Sequence, residues 1–331
     1  MTTWFRALLI ITLAIVGIAP LRAQAQGGAE LVAPEAEPTA NAEPEPEPEP
    51  MLMAAPEPML VAEVPPAPPP ARPKSEIALE LAMHAGSITG GSIFSFSPVL
   101  RASIQVHDHV AIEAAWALPF ASISPDVGDS ASALRIGNPW IAGYYTGAFG
   151  KFKLRVGAGL GIPIASLPTV DITDPSSVQA AGAARAAFAE GGGVRGVWVP
   201  WLWAVDYLSI GVPATVTWTA AENVNLVGDI GFVYLVYTGD DTAKSNRTFM
   251  RFGVAGSYTA GIVQAGLRLQ AIWFPSDDGD NAQLAIEPYV RINFGLPFVR
   301  LGFLMNLDEP RGFAFGENHT WGLRLEGGVS F

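Results

Sequence analysis

The sequence predicts an all-β chain that closes into a transmembrane antiparallel up-and-down β-barrel of about twelve strands. From residue 76 onward, apolar and polar residues alternate with a period of two, which places them on opposite faces of a strand. The same part holds no run of about 18 apolar residues, so a membrane-spanning helix is not expected there. Short turns also alternate with long polar connections, a pattern typical of membrane barrels.

The composition excludes several classes of protein. Of 331 residues, 50% are hydrophobic and only 15% are charged, against roughly 25% charged in soluble globular proteins. The chain has no cysteine, which excludes a disulfide framework, a thiol nucleophile and a cysteine-ligated metal. The formal net charge of −12 disfavours a nucleic-acid partner, because nucleic-acid binding needs a basic surface.

Residues 1–25 have the pattern of a secretory signal peptide. Arg6 precedes an apolar run over residues 7–18, Pro20 interrupts it, and Ala23 and Ala25 form a small-x-small cleavage site. The alternative is a retained anchor helix, but the apolar run is shorter than the roughly 20 residues that span hydrocarbon. We therefore expect cleavage after Ala25.

Residues 26–75 are predicted to be a disordered periplasmic linker. They contain Glu-Pro repeats over residues 43–50 and a proline-rich run over residues 64–70. Proline removes a backbone donor and the glutamates repel one another, so the segment can neither pack a core nor pair as a sheet. The composition leaves open whether it is a spacer or a tail with a partner.

The remaining residues, 76–331, form the predicted barrel, and the last strand shows the alternation most clearly. There Trp321, Leu323 and Leu325 alternate with Arg324 and Glu326. The phase of the fourth strand stays open because Pro139 suggests a bulge. The twelve predicted strands lie around residues 79–83, 100–106, 110–116, 137–145, 152–160, 208–218, 226–236, 250–254, 267–273, 284–294, 299–305 and 321–331.

The predicted connections differ in length on the two sides of the barrel. Short turns are expected near residues 108, 147–150, 220–222, 259–261 and 295–297. Long connections are expected over residues 86–97, 119–134, 163–206, 239–246, 275–282 and 307–319. An even number of strands then puts both termini on the short-turn side, which is periplasmic in such barrels. A soluble sandwich would instead have to bury Arg268 and Arg291 in an apolar core.

With these features the region resembles the Gram-negative outer-membrane β-barrel superfamily. The terminal Phe331 on an alternating strand is similar to that superfamily's membrane-insertion signal. The resemblance implies the barrel-insertion machinery as a partner, and outer-membrane lipid and lipopolysaccharide as surroundings. Residues 137–141 and 157–163 are weakly similar to transporter barrels of the aromatic/fatty-compound uptake type, although residues 26–75 are too rich in proline to form the plug found in long-chain fatty-acid transporters.

The polar face of the strands supplies the candidate lumen-lining residues. The eight basic and five acidic side chains give an excess of positive charge that favours anionic or polar small-molecule solutes. Arginines and carboxylates can also pair across a narrow barrel and fill it, so a closed interior stays open as an alternative. The candidates are Glu80, Arg101, Glu113, Lys153, Arg155, Asp229, Arg251, Arg268, Glu287, Arg291, Arg300, Arg324 and Glu326.

The longest connection, residues 163–206, is predicted to contain a short helix. Asp174 can cap it, Pro175 suits its first turn and the Ala-rich stretch continues to Ala189. The loop can fold inward and constrict the lumen. It can equally lie over the rim, where tryptophans anchor at the membrane interface; the candidates for that role are Trp198, Trp201 and Trp203.

The sequence thus favours an outer-membrane porin-like channel for passive transport of small solutes. The alternative is a structural barrel with a closed lumen whose acidic linker binds a periplasmic partner or the cell wall, and a lipid-modifying barrel enzyme is less favoured. No catalytic residue and no cofactor are expected. No metal site is expected either, since His107 and His109 form at most a weak pair and the acidic run at residues 277–280 lacks EF-hand spacing. The oligomeric state stays open.

Overall fold

A computed structural model of the chain describes residues 75–88, 90–275, 281–307 and 321–331. The predicted signal peptide and all but the last residue of the predicted linker lie outside these residues. The described part contains fourteen strands, one α-helix and one 3-10 turn. They are β1 (Glu76–Ile88), β2 (Gly91–His107), β3 (Val110–Ala117), β4 (Phe120–Pro125), β5 (Ala131–Leu134), β6 (Trp140–Phe149), β7 (Phe152–Gly161), α1 (Pro175–Gly193), η1 (Pro200–Leu202), β8 (Tyr207–Ala221), β9 (Val224–Tyr237), β10 (Arg247–Ala260), β11 (Val263–Trp273), β12 (Ala282–Asn293), β13 (Pro297–Asn306) and β14 (Trp321–Ser330).

The strands form one closed antiparallel barrel. Each strand pairs with its neighbours in the order β1, β2, β3, β6, β7 and on to β14, and β14 returns to pair with β1. The hairpin β4–β5 extends the wall at one end, because β2 pairs with β3 along one half and with β4 along the other. Twelve strands therefore close the barrel, as predicted.

The two faces of the wall differ as the alternation predicts. Outward positions carry large apolar side chains that stay exposed, such as Leu79, Ile141 and Leu301, whereas many inward positions are polar and buried, such as Ser97, Gln270 and Asn306. An apolar outer band around a polar interior fits a wall surrounded by lipid. Within the described residues, no helix combines the length and the apolar character needed to cross a membrane.

The connections define two ends of the barrel. At the short-turn end, tight turns join β2 to β3, β6 to β7, β8 to β9, β10 to β11 and β12 to β13. The two ends of the barrel sequence meet there, since the Ser75 amide donates to the Phe331 carbonyl at 2.8 Å and the Phe331 amide donates back at 2.9 Å. We call the opposite end the long-loop end. Whether the short-turn end faces the periplasm remains a prediction.

One predicted long connection is wrong, and another contains a hairpin. Residues 86–88 and 91–97 belong to strands, because β1 and β2 stay paired as far as Ile88 and Gly91. Residues 119–134 lie in the long connection from β3 to β6, as predicted, and hold the hairpin β4–β5. In the first case the Gly- and Ser-rich sequence resembles a loop, yet Phe94 and Phe96 keep the outward apolar alternation going. The fourth predicted strand begins at Trp140, after an irregular stretch that ends at Pro139.

The candidate channel interior

A long connection folds into the barrel, and we call residues 162–206 the inserted loop. Its helix α1 begins after Asp174, whose carboxylate accepts from the Ser176 amide at 2.9 Å and from the Ser176 hydroxyl at 2.8 Å. These hydrogen bonds hold the pKa of Asp174 below its usual value. The buried face of α1 packs Ala183 and Ala184 against Ala133 of β5, so the hairpin β4–β5 supports the helix, whose cap was predicted from the sequence.

From the C-terminal end of α1 onward, residues 190–203 cross the interior and contact several strands of the wall. The Asn306 side chain of β13 donates to the Gly193 carbonyl at 3.0 Å. Gln270 of β11 donates to the Arg195 carbonyl at 2.7 Å. On β1, His84 Nδ1 lies 2.8 Å from the Glu190 carboxylate. The inserted loop therefore constricts the lumen, as one of the two predicted alternatives states.

The three tryptophans of the inserted loop are buried inside the barrel. Trp198, Trp201 and Trp203 expose only 8%, 4% and 6% of their surfaces. Trp201 stacks on Trp140 of β6 with ring centroids 4.6 Å apart. The alternative in which these residues anchor at the membrane interface is wrong. Their ring faces pack against the wall and the interior arginines instead.

Asn138 attaches the inserted loop to the wall. Its side-chain amide donates to the carbonyls of Trp201 at 3.1 Å and Ala204 at 2.7 Å. Its side-chain oxygen accepts from the Ala165 amide at 2.8 Å, and the residue is fully buried. Neighbouring Gly137 also lies against the loop, since a β-carbon there would come within 2.6 Å of the Leu202 carbonyl. Residues 137–139 thus hold the inserted loop near both of its ends, at Ala165 and at residues 201–204.

An ion-pair network joins the inserted loop to the wall. Glu80 of β1 accepts from Arg195 of the loop at 2.7 Å, from Arg324 of β14 at 2.6 Å and from Arg101 of β2 at 3.2 Å. Arg324 also donates to Glu287 of β12 at 2.7 Å. Glu80, Glu287 and Arg195 are almost completely buried, so each charge depends on its partners.

The other predicted lumen residues also lie at inward positions of their strands. Arg300 lies 3.1 Å from Glu287 and 3.7 Å from Glu326. Separate pairs join Arg155 to Glu113 at 2.9 Å, Arg268 to Asp229 at 3.2 Å and Arg291 to Glu76 at 2.9 Å. Lys153 is exposed near the short-turn end. Their role in lining an open channel remains a prediction.

A polar cavity of about 180 Å³ lies inside the barrel against the inserted loop. Seven arginines and three carboxylates line it, with Trp140, Tyr144, Trp198 and Trp201 among its other walls. The carboxylates are Glu80, Glu113 and Asp229, and the arginines are Arg101, Arg155, Arg195, Arg251, Arg268, Arg300 and Arg324. The cavity lining is therefore electropositive, and its arginines come from the inserted loop and from several strands of the wall.

Sequence reasoning missed four polar residues of this interior, namely Arg195, His84, Glu190 and Asn138. Arg195 stands in a glycine-rich stretch, with Gly191, Gly192 and Gly193 before it and Gly196 after it. That pattern is a usable signal, because glycines let a backbone pass close to a wall. Gly196 confirms the close approach, since its φ is +59° and a β-carbon there would meet Ala285 at 2.8 Å.

The histidines and acidic groups assemble no metal centre in the described ranges, where no set of three or more metal-ligating side chains converges. His107 and His109 have ring centroids 6.2 Å apart beside a short turn. The acidic run at residues 277–280 lies outside the described residues.

No protein-family model and no curated protein matches this sequence. Among solved structures, it is similar to an outer-membrane channel from Pseudomonas putida F1, with 13% identity, a TM-score of 0.53 and coverage of 81% of this chain and 100% of the other. It is also similar to the NanC porin, at 9% identity, TM-score 0.47 and 77% and 98% coverage. It is similar to the KdgM porin with 8% identity, a TM-score of 0.43 and coverage of 77% of this chain and 99% of the other.

At these identities the similarity concerns the fold. The first comparison spans the whole of the channel structure and agrees with the architecture found here. A closed antiparallel wall with an even number of strands, an apolar outer band and a polar interior is the design that crosses the outer membrane of Gram-negative bacteria. The chain is therefore an outer-membrane β-barrel.

Proposed function

We propose that the protein is a porin-like channel for passive transport of small anionic or polar solutes across the outer membrane. The observation that carries this proposal is the polar cavity, whose seven arginines exceed its three carboxylates. A positive lumen attracts anions and repels cations. The similarity in fold to a protein described as an outer-membrane channel supports transport rather than catalysis.

In this proposal the inserted loop sets the size of the passage. The loop is tied to β1 through Arg195, to β13 through Asn306 and to β11 through Gln270. Solutes pass only where the loop leaves space or after it shifts. Because buried ion pairs hold it, the resting conductance is expected to be small for a barrel of twelve strands.

Single-channel recording tests the proposal. The full chain, purified from membranes in folded form, is inserted into a planar bilayer and reversal potentials are measured in a salt gradient. Discrete steps with preference for anions are expected. Arg251→Gln and Arg101→Gln together reduce the positive charge and are expected to lower that preference, whereas Arg247→Gln at the exposed long-loop end of β10 is the matched control.

A second candidate is a structural barrel with a closed lumen, favoured by the burial of Arg195 and Glu80 at 2% each. A folded, heat-modifiable protein that gives no current steps would support it over the channel. In that case residues 26–75 would carry the function as a linker to a periplasmic partner or the cell wall, and deleting them would abolish that function. A channel would keep its conductance without them.

We also propose that Phe331 is the membrane-insertion signal recognised by the barrel-insertion machinery. Its side chain is 58% exposed and continues the outward alternation of β14. The Phe331→Ala variant is expected to lower the amount of folded barrel in membranes without lowering its conductance per channel. Unchanged assembly of this variant would contradict the assignment.

A further inference from the structure

We propose that the cavity against the inserted loop binds one small, ring-sized carboxylate through Arg251. This binding would define the solute class of the proposed channel, so the inference rests on the proposed function. The binding itself needs only the folded barrel, so the two proposals can be tested separately. Four observations carry it: an unpaired charge, aromatic walls, the size of the cavity and a route of access.

Among the described residues, Arg251 is the cavity arginine without a carboxylate partner. Its Nη1 donates to the Trp198 carbonyl at 3.4 Å, and its Nε contacts no acceptor in the described part of the chain. The residue is nevertheless only 9% exposed. The other six cavity arginines each form an ion pair. A buried charge without a counter-ion is costly, so the site favours an anion.

The surroundings of Arg251 select the shape of that anion. Its guanidinium lies 4.8 Å and 4.9 Å from the ring centroids of Trp198 and Trp201. Both rings pack against the guanidinium, whose planar set of N–H donors matches the two oxygens of a carboxylate. The flat aromatic side chains of Trp140 and Tyr144 provide further wall for an apolar ring.

The cavity has the size for one such molecule. Its volume is about 180 Å³, and a protein cavity of about 150 Å³ accommodates benzene. A carboxylate on a six-membered ring therefore fits with little space left over. Arg251 supplies one unpaired charge, which one carboxylate would neutralise.

The cavity is reached from the short-turn side. The side chains of Arg101 and Arg155, which line it, are 45% and 31% exposed, whereas Arg195 at the inserted loop is 3% exposed. Side-chain exposure thus increases towards that side. An anion arriving there meets Arg101 before it reaches the buried Arg251.

Equilibrium binding to the detergent-solubilised full chain tests the inference. Benzoate is titrated while the intrinsic tryptophan fluorescence is followed, because two tryptophans contact Arg251. Benzamide has the same shape without the charge, acetate has the charge without the ring, and inorganic phosphate is the competing anion. We expect saturable quenching by benzoate and binding at least about tenfold weaker for benzamide, since a lost charged hydrogen bond costs about that factor or more. Acetate and phosphate keep a charge but lack the ring, so both are expected to bind more weakly than benzoate because they bury no ring surface.

Variants assign the site to Arg251. Arg251→Gln is expected to weaken benzoate binding at least about tenfold, while Arg247→Gln, on the same strand but exposed, leaves it unchanged. Arg251→Lys keeps the charge but loses the planar pair of donors that binds both carboxylate oxygens, so it is expected to bind benzoate several-fold more weakly than the native chain. This variant tests the site if Arg251→Gln does not fold. Folding is checked by heat-modifiable migration.

Three results would overturn the inference: equal benzoate affinity in folded Arg251 variants, equal affinity for benzamide, or tighter binding of phosphate. Conductance without benzoate binding would leave the channel standing and remove this site. Benzoate binding that depends on Arg251 in a barrel that never conducts would leave the site standing and remove the channel.

Discussion

Glu80 shows how single residues hold a buried polar interior together. Its carboxylate is 2% exposed and receives arginines from three separate parts of the chain, namely the inserted loop, β2 and β14. Each arginine adds attraction and all three share one desolvated anion. The effect of a substitution therefore depends on how many partners lose their counter-ion.

The sharing of one carboxylate by three arginines gives the first prediction. Glu80→Gln leaves three arginines without their shared anion and is expected to lower the free energy of unfolding by about 3 to 5 kcal/mol. Arg195→Met leaves Glu80 with two arginines and is expected to cost about 1 to 2 kcal/mol. Urea unfolding in lipid vesicles measures both. Equal losses, or a larger loss in Arg195→Met, would contradict the shared role of Glu80.

Asn138 gives the second prediction, because it satisfies three backbone groups of the inserted loop. Asn138→Ala leaves these buried groups unpaired at an expected cost of about 2 to 4 kcal/mol. The loss falls on the loop rather than the barrel, so we expect faster proteolysis within residues 162–206 and more frequent large conductance steps. Asn246→Ala, which removes comparable bonds in an exposed loop, serves as control and should change neither.

At the scale of elements, the N-terminal cap of α1 gives a prediction about pH. The pKa of Asp174 is lowered because Ser176 donates to its carboxylate. A lowered pKa means that the cap is fully effective above the ordinary aspartate pKa of about 3.9 and is lost only as the pH falls through the lower folded-state value. The first turn of α1 should therefore stay equally protected at pH 7 and pH 5.

Hydrogen exchange of the amides of residues 176–178, corrected for intrinsic rates, measures this protection. Asp174→Ala is expected to speed exchange at both pH values, because the amide of Ser176 loses its acceptor. Asp174→Asn keeps an acceptor that does not titrate and serves as control. Faster exchange in the native chain at pH 5 than at pH 7 would contradict the assignment.

The elements also explain which features the sequence could predict. Strands such as β14 and β12 face lipid on one side and polar groups on the other, so their alternation survives in the sequence. The sequence predicts β1 and β2 but not their full length, because Gly86, Gly90 and Gly91 resemble a loop, whereas pairing along the wall extends both strands. Pairing between strands is a tertiary effect that local propensity does not contain.

The inserted loop marks a second limit. A run of tryptophans suits either a membrane interface or a packed interior, so composition could not place Trp198, Trp201 and Trp203. The decision comes from long-range partners, chiefly Asn138, Glu80 and Gln270. Individually these residues are ordinary wall positions in the sequence. Their joint role exists only once the barrel closes.

At the scale of the whole molecule, the barrel consists of two parts, the wall and the inserted loop. The wall is fixed by a continuous ladder of main-chain hydrogen bonds from β1 around to β14. The inserted loop is fixed by side-chain contacts, which open at lower cost than a closed ladder. If solutes pass when the inserted loop shifts, then locking the loop to the wall must stop passage while the barrel remains intact.

A disulfide provides that lock, and the absence of native cysteine removes any background reaction. Ala133 of β5 packs against Ala183 and Ala184 of α1, so Ala133→Cys is combined with either Ala183→Cys or Ala184→Cys, and the pair that oxidises completely is used. We expect oxidation to abolish the larger conductance steps and reduction to restore them, while the single-cysteine variants stay unaffected. Identical currents before and after reduction would mean that α1 need not leave the β4–β5 hairpin, and that solutes pass beside an inserted loop that stays in place.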